Sequence, residues 1–250
     1  MKVSIITISY NSAETIQDTI ESVLAQDYAD IEYIIVDGAS SDGTMEIIKK
    51  YQDRIAKVIC ESDSGIYDAM NKGLKLATGE LIGILNSDDV YKDSKVISDV
   101  VSTVQDSNSD ALYADLVYSD RNDLTRVKRY WRSGQFRKNS FKWGWMPPHP
   151  TFFVKRSVYE RYGYFNTSLK TSADYEIMLR FLFKEGISVS YLDRVITIMR
   201  MGGQSNASVK NRVDANKEDR MAWKLNGLKP NPVTFYLKPL RKVGQFIRKS

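Results

Sequence analysis

The chain has one cysteine, Cys60, and one histidine, His149, among its 250 residues. A lone thiol cannot close an intrachain disulfide, and so few Cys and His ligands exclude a Cys/His zinc site. No apolar run approaches the roughly 18–20 residues that a membrane helix needs. The N-terminal stretch Met1 to Ser9 is too short, and too interrupted by hydroxyl residues, for a secretory signal, so a cytoplasmic location is expected. There is no GxGxxG fingerprint and no Walker lysine loop, which removes two common phosphate cradles. Internal repeats and low-complexity tracts are also missing. What is present, 42% hydrophobic and 27% charged residues, belongs to a folded globular chain and argues against disorder. Acidic residues are missing from Lys238 to Lys249, where Lys238, Arg241, Lys242, Arg248 and Lys249 concentrate much of the +5 net charge. That asymmetry points to an anionic partner near the C-terminus.

Val3 to Ser9 and Ile31 to Val36 are β-branched-rich runs bounded by polar turn residues, and read as buried strands of a largely parallel sheet. Between them Ile16, Ile20, Val23 and Leu24 recur at helical spacing, with Asn11 or Ser12 able to cap the start. Further helices are expected over Thr44 to Tyr51, Ile66 to Thr78, Ser94 to Ser102, Arg156 to Tyr162, Ser172 to Lys184 and Lys210 to Leu225. Further strands are expected over Val58 to Cys60, Leu81 to Leu85, Ala111 to Val117 and Thr151 to Val154. Asp120 to Lys142 reads as a polar, basic stretch with interleaved aromatics, and Lys142 to Pro150 as a structured loop. Such alternation implies an α/β fold with a largely parallel central sheet and helices on both faces, plus a C-terminal helix and basic tail. Ligands in such sheets bind beyond the carboxyl ends of the strands.

Four polar clusters fall at those ends: Tyr10-Asn11, Asp37 to Gly43 including Asp42, Glu61 to Gly65, and Asn86-Ser87-Asp88-Asp89. Two adjacent carboxylates after a buried strand are costly to desolvate without a cation, and hard oxygen ligands of this kind suit Mg2+ or Mn2+. The same Asp88-Asp89 pair can equally open a turn or cap a helix.

Six motifs in this order resemble the inverting family 2 glycosyltransferases with a GT-A fold, of the kind that build bacterial exopolysaccharide, capsule or O-antigen. They are Val3 to Asn11, Asp37 to Thr44, Asp63 to Gly73, Asn86 to Asp89, His149-Pro150 and Ala173 to Glu176. The resemblance covers residues 1–205, with a nucleotide-sugar half (1–118) and an acceptor half (119–205); residues 206–250 form the C-terminal helix and tail. It implies a nucleotide-sugar donor, expected to be a UDP-sugar, and a saccharide acceptor, expected to be lipid-linked. It implies that Asp37 recognises the base, helped by Tyr10 and the backbone near Thr7 and Ser9. Asn11, Asp42 and Ser87 lie in the same donor motifs. Asp88 borders the ribose or sugar, and Asp89 is the metal ligand toward the diphosphate, with Mn2+ or Mg2+ as cofactor. Asn86 stands where relatives carry an aspartate.

Asp68, Asn71 and Lys72 share one helix face, which the resemblance turns toward the donor; the plain alternative is a solvated Asp68–Lys72 pair. Gly65 would let backbone N–H groups approach an anion. Asp174 is the implied catalytic base, in a Glu-Asp position that here reads Ala173-Asp174; the alternative is a first-turn acid behind a Ser172 N-cap. His149 is expected to border the donor or acceptor pocket. Trp143 and Trp145 either stack on a sugar or pack the loop. Arg200, with Gly202 to Ser205, is expected to form a lid that pairs with the diphosphate; the alternative is that Gly202-Gly203 is only a hinge. The tail from Phe235 mixes aromatics and cations like an interfacial segment, so peripheral contact with an anionic membrane is expected. A sugar nucleotidyltransferase and a basic nucleic-acid-binding module are the competing readings. The first lacks its Gly-rich loop after the opening strand. The second leaves the carboxylate clusters unexplained, so no nucleic acid is expected as partner.

Overall fold

In the computed structural model, which describes residues 1–202 and 209–238, the opening run Val3–Ser9 is strand β1, buried throughout. It pairs in parallel with β2 (Ile31–Asp37), which pairs with β3 (Lys57–Cys60), and on its other edge with β4 (Leu81–Ile84). Helices α1 (Ile16–Leu24), α2 (Thr44–Lys49) and α3 (Ile66–Leu76) connect these strands. This half is the parallel layer that alternating strands and helices imply. A side chain at Gly73 would meet Ile6 Cγ2 at 2.4 Å, so the glycine lets α3 lie close on β1.

Beyond β4 the sheet becomes mixed. Its order is β3-β2-β1-β4-β8-β6-β9-β5, with β7 on β6. The added strands are β5 (Asp89–Tyr91), β6 (Ala111–Ser119), β7 (Val127–Trp131), β8 (Phe153–Lys155) and β9 (Val189–Arg200). Only β6 and β9 run parallel among the pairs in this half. The charged run in β7 has the pattern of a polar segment, and the sequence shows no strand signal over β9. β7 tolerates its charges because it pairs with β6 alone. β9 is interrupted by Asp193-Arg194 and shifts register against Ala114 and Asp115, which blurs its alternation.

The helices of this half are α4 (Val96–Ser107), α5 (Arg156–Tyr162), α6 (Ala173–Met178), prolonged by a π-helical turn to Lys184, and α7 (Val209–Leu225). Two hydrophobic clusters fill the two faces of the sheet, one centred on α3 and α6, the other on α1 and α4. Trp223 of α7 is buried in the first and donates a hydrogen bond to Tyr175 Oη at 2.8 Å, so the division after residue 205 is not a division of the core. The expected cap of α1 is not formed: Thr15 takes the N-cap position, and Asn11 and Ser12 bond elsewhere.

Glu32 is a buried acid that ties β1, β2 and the turn before β4 together. Its carboxylate accepts from Ser4 Oγ at 2.6 Å, from Thr78 N at 2.7 Å and from Thr78 Oγ1 at 2.8 Å, with Lys2 and Lys57 beside it. Burial opposes ionisation, but these hydrogen bonds outweigh it and hold the carboxyl down to about 2. The folded pKa is lowered, so the stability it contributes is present above the ordinary carboxylate value and lost as pH falls through about 2. In urea titrations across a pH series, the wild type should lose about 2–3 kcal/mol through this interval, and Glu32→Gln should flatten that dependence.

Candidate active site

The carboxyl ends of β1, β2 and β4 bring the first, second and fourth polar clusters to one rim. Ser12 and Ser87 hydroxyls meet at 2.8 Å, joining the segment after β1 to the turn after β4. Asn11, in the left-handed region at φ 48°, accepts from Ser41 N on its side chain, while its own N–H donates to Ser40 Oγ. Asp42 accepts from Ala13 N and from the N–H and hydroxyl of Thr44. Desolvation works against its charge, yet the Thr44 and Ala13 hydrogen bonds keep its carboxyl below the usual range.

Asp37 is fully buried, and its oxygens accept from Ser9 Oγ at 2.8 Å, Ser40 N at 2.8 Å and Ser40 Oγ at 2.7 Å. These bonds organise the loop after β2. The Thr7 hydroxyl accepts from Tyr33 inside the core, which leaves Thr7 no side-chain role at the rim. Tyr10 is 60% exposed and lies beside Gly38, where Asp63 also packs. The local sequence around Asp63 does not mark it for the rim; only the packing of the third cluster against the second brings it there.

Asn71 and the amides at Gly65 correct the sequence reading. Asn71 Nδ2 donates to Phe165 O and its Oδ1 accepts from Phe165 N, each at 2.9 Å, so its amide clamps α3 to a distant segment. The Ser64 and Gly65 N–H groups are taken by Asp68 and Asp63, and Lys72 reaches back to Glu61 and Ser62 O. Removing the Asn71 clamp leaves two backbone groups without partners. Asn71→Ala should therefore cost about 2–4 kcal/mol in urea denaturation.

The turn Asn86–Asp89 joins β4 to β5. Asp89 is fully buried; Asn86 Nδ2 donates to its Oδ2 at 3.1 Å. Asp89 Oδ1 and Asn86 Oδ1 are buried with no partner, two orphaned acceptors on one turn. Burial, and then the charge of Asp88, push the Asp89 carboxyl well above its ordinary value, against the pull of Asn86 and Arg200. Two buried oxygens short of a donor, one on a carboxylate, fit a hard divalent cation. Among the described residues no group of three or more His, Cys, Asp or Glu stands ready to cage a metal unaided, so further ligands have to come from a bound anion or water.

Arg200, at the end of β9, is 5% exposed. It donates to Asp88 O at 3.0 Å and Arg121 O at 3.2 Å and pairs with Asp18. The expected lid role of Arg200 is thus replaced by a fixed one: it braces the Asp88 turn from behind. Gly203 to Ser205 lie outside the described residues.

Asp174 sits in the first turn of α6. Ser172 takes the N-cap position, but its hydroxyl donates to Ala215 O at 3.2 Å and not to the helix, so Asp174 keeps the first-turn placement without a side-chain cap beside it. Tyr67 Oη donates to Asp174 Oδ1 at 3.2 Å, and His149 Nδ1 stands 3.3 Å from Oδ2. Burial and the Asp174 charge raise the Tyr67 phenol. Tyr67 escaped the sequence reading because it lies on the apolar face of α3, opposite Asp68 and Lys72; its place between Gly65 and Asp68 was the available signal. Below this trio lies an apolar hollow of about 20 Å³, room for about one water, lined by Met70, Ile84, Phe152 and Met178 among others. Trp145 is buried and donates to Ser133 O, so it packs the loop, whereas Trp143 is half exposed.

Burial pushes the Tyr118 phenol of β6 up to about 12, with smaller contributions from the charges of Arg129, Asp89 and Asp174. A parallel α/β half with polar clusters at its strand ends, extended by a mixed half that carries a held carboxylate, defines a glycosyltransferase of the GT-A type. Residues 4–163 match the family described as Glycosyl transferase family 2, and the chain belongs to that family. A PGL/p-HBAD biosynthesis glycosyltransferase of Mycobacterium bovis is 26% identical over 218 residues, 82% of this chain and 80% of the relative. An uncharacterized glycosyltransferase of Mycobacterium tuberculosis is 31% identical over 180 residues, 71% of this chain and 68% of the relative. Among solved structures, S. aureus TarS residues 1–349 with UDP-GlcNAc superposes with a TM-score of 0.69 at 20% identity, over 90% of this chain. The chain spans 65% of that TarS fragment. The mannosyltransferase PcManGT of Pyrobaculum calidifontis, in complex with GDP-Man and Mn2+, gives a TM-score of 0.68 at 20% identity over 96% of this chain and 69% of its own.

Proposed function

We propose that the protein transfers a sugar from a UDP-linked donor to a saccharide acceptor, with inversion, in the assembly of a surface polysaccharide or glycolipid. The observation that carries this is Asp174, held by Tyr67 and His149 beside a small hollow, in a chain whose turn at Asp89 leaves two buried oxygens without a partner. Inversion is one in-line displacement: the acceptor oxygen attacks the anomeric carbon, its proton passes to a base, and the diphosphate leaves with the bonding electrons. Asp174 is the base. Tyr67 and His149 fix its orientation. Asp89, with Asn86 Oδ1, would hold Mn2+ or Mg2+, and the bound cation would offset charge on the departing diphosphate. The base lodges by Tyr10 and Gly38, where Asp63 supplements the loop that Asp37 organises. Names of relatives support the acceptor side, from PGL/p-HBAD synthesis to the Bacillus subtilis protein TuaG, named for teichuronic acid biosynthesis and 44% identical over 97 residues, 38% of each chain.

A cytoplasmic location, with peripheral contact to an anionic membrane and a lipid-linked acceptor, belongs to the same reading. No helix among the described residues is long and apolar enough to cross a membrane. The first tail residues face inward: Phe235 is buried under Arg220, and Lys238 pairs with Asp219 at 2.6 Å. A membrane contact therefore falls to exposed Tyr236 and to residues 239–250, which lie outside the described residues. The test of the function is a donor panel of UDP- and GDP-sugars with soluble and lipid-linked acceptors, with and without Mn2+, scored by released nucleoside diphosphate. Acceptor-dependent release from a UDP-sugar is expected; no release from any pairing sinks the reading.

A further inference from the structure

We propose that Glu218 of α7 is a positioning residue for the base: its carboxylate fixes the segment 170–172 that leads into α6, and so sets where Asp174 meets Tyr67 and His149. This rests on the transferase reading above. The segment enters α6 through Ser172, whose hydroxyl is spent on Ala215 O and leaves the first turn without a side-chain cap. The aim of that turn then depends on what holds the segment before it.

Glu218 supplies the hold. Its Oε2 accepts from Thr171 N at 2.7 Å, Thr171 Oγ1 at 2.8 Å and Ser172 N at 3.0 Å, and its Oε1 accepts from Lys170 N at 3.0 Å. Three successive backbone N–H groups thus converge on one carboxylate from a distant part of the chain. Desolvation works against its charge, yet these donors keep the Glu218 carboxyl below the usual range, so the hydrogen bonds are charge-assisted. Removing the carboxylate leaves the N–H of buried Ser172 without a partner, and the segment has to move to regain one.

The rest of α7 acts on the same turn. Trp223 Nε1 donates to Tyr175 Oη at 2.8 Å, and Asn226 Nδ2, just past the end of α7, donates to Glu176 Oε1 at 2.8 Å. Ala215, Glu218, Ala222 and Asn226, spaced three and four apart, share one side of the helix. Asp174 bonds the other way, to Tyr67 of α3 and to His149. The first turn of α6 is therefore set between α7 behind and these two groups in front. With Tyr67 and His149 at 3.2 and 3.3 Å, a shift of about 1 Å takes Asp174 out of hydrogen-bond range.

The experiment uses His149, the single histidine of the chain, as the probe. The full, untagged protein carrying ¹³C-labelled histidine gives one imidazole Cε1–H signal in NMR, which reads the Asp174 contact with no substrate present. Asp174→Ala gives the position of that signal when the contact is broken. Glu218→Ala should move the wild-type signal at least halfway there. Glu218→Gln, whose amide oxygen can still take the three donors on Oε2, should move it less. Glu218→Asp, which withdraws the charge by one carbon, should also move it, and serves if the alanine protein does not fold. Glu32→Gln, which loosens β1 and β2 instead, should leave it in place. In the donor panel above, Glu218→Ala should lower kcat by about 10- to 100-fold, the cost of a base held out of line, with the donor KM unchanged. An unmoved His149 signal overturns the assignment whatever happens to the rate; so does a moved signal with wild-type kcat, or an equal shift in Glu32→Gln. A moved signal in a protein that releases no nucleoside diphosphate from any donor would overturn the transferase reading while leaving the link from Glu218 to Asp174 standing.

Discussion

Asp174→Asn should lower kcat by about 10²–10⁴-fold, the usual contribution of a positioned general base, while the affinity for UDP with Mn2+ changes little. The amide keeps the shape of the side chain and can still meet Tyr67, so loss of activity reports the base and not collapse of the pocket. Steady-state release of nucleoside diphosphate, with UDP titrations as the binding control, checks it; unchanged turnover would refute the assignment. Tyr67→Phe and His149→Ala should each cost less than the asparagine, because they orient the carboxylate without receiving the proton.

Asp89→Asn should reduce turnover by at least 100-fold and remove the thermal stabilisation that UDP and Mn2+ together confer. The metal-free protein should show the opposite trend in stability. Burial raises the folded pKa of Asp89, so its contribution is present below the ordinary carboxylate value and is lost as pH rises through the raised one. Wild-type protein in a chelator should therefore melt lower as pH rises through that window, and Asp89→Asn should not share this slope. Adding UDP and Mn2+ should restore the wild type most at the higher pH, where a cation no longer competes with a proton. Scanning calorimetry at several pH values decides it; parallel slopes in both proteins would count against Asp89 as the cation's carboxylate.

The parallel half was legible because its central strands β1, β2 and β4 are buried on both faces and read as continuous apolar runs. The strand-end clusters followed from that same pattern, and so did the turn at Asn86 to Asp89. The mixed half was obscured where local pattern and final state disagree. β7 carries the adjacent charges Lys128 and Arg129, which put a cation on each face and hide its strand period, and β9 has a register shift that breaks its period.

By itself the sequence determined the alternation of strands and helices, the polar rim at their carboxyl ends, and the acids with enough charge for donor and acceptor chemistry. Those properties are local: they depend on periodicity, turn residues and the cost of burying charge. Only the tertiary structure decided which of these side chains are free to act. It spent Asn71 on the backbone of Phe165, Arg200 on the back of the Asp88 turn, and the oxygens of Asp37 on Ser9 and Ser40. It also brought Tyr67 and His149 to Asp174. Hydrogen-bond partners dozens of residues away settle whether a polar group is occupied or available, and no local pattern records them.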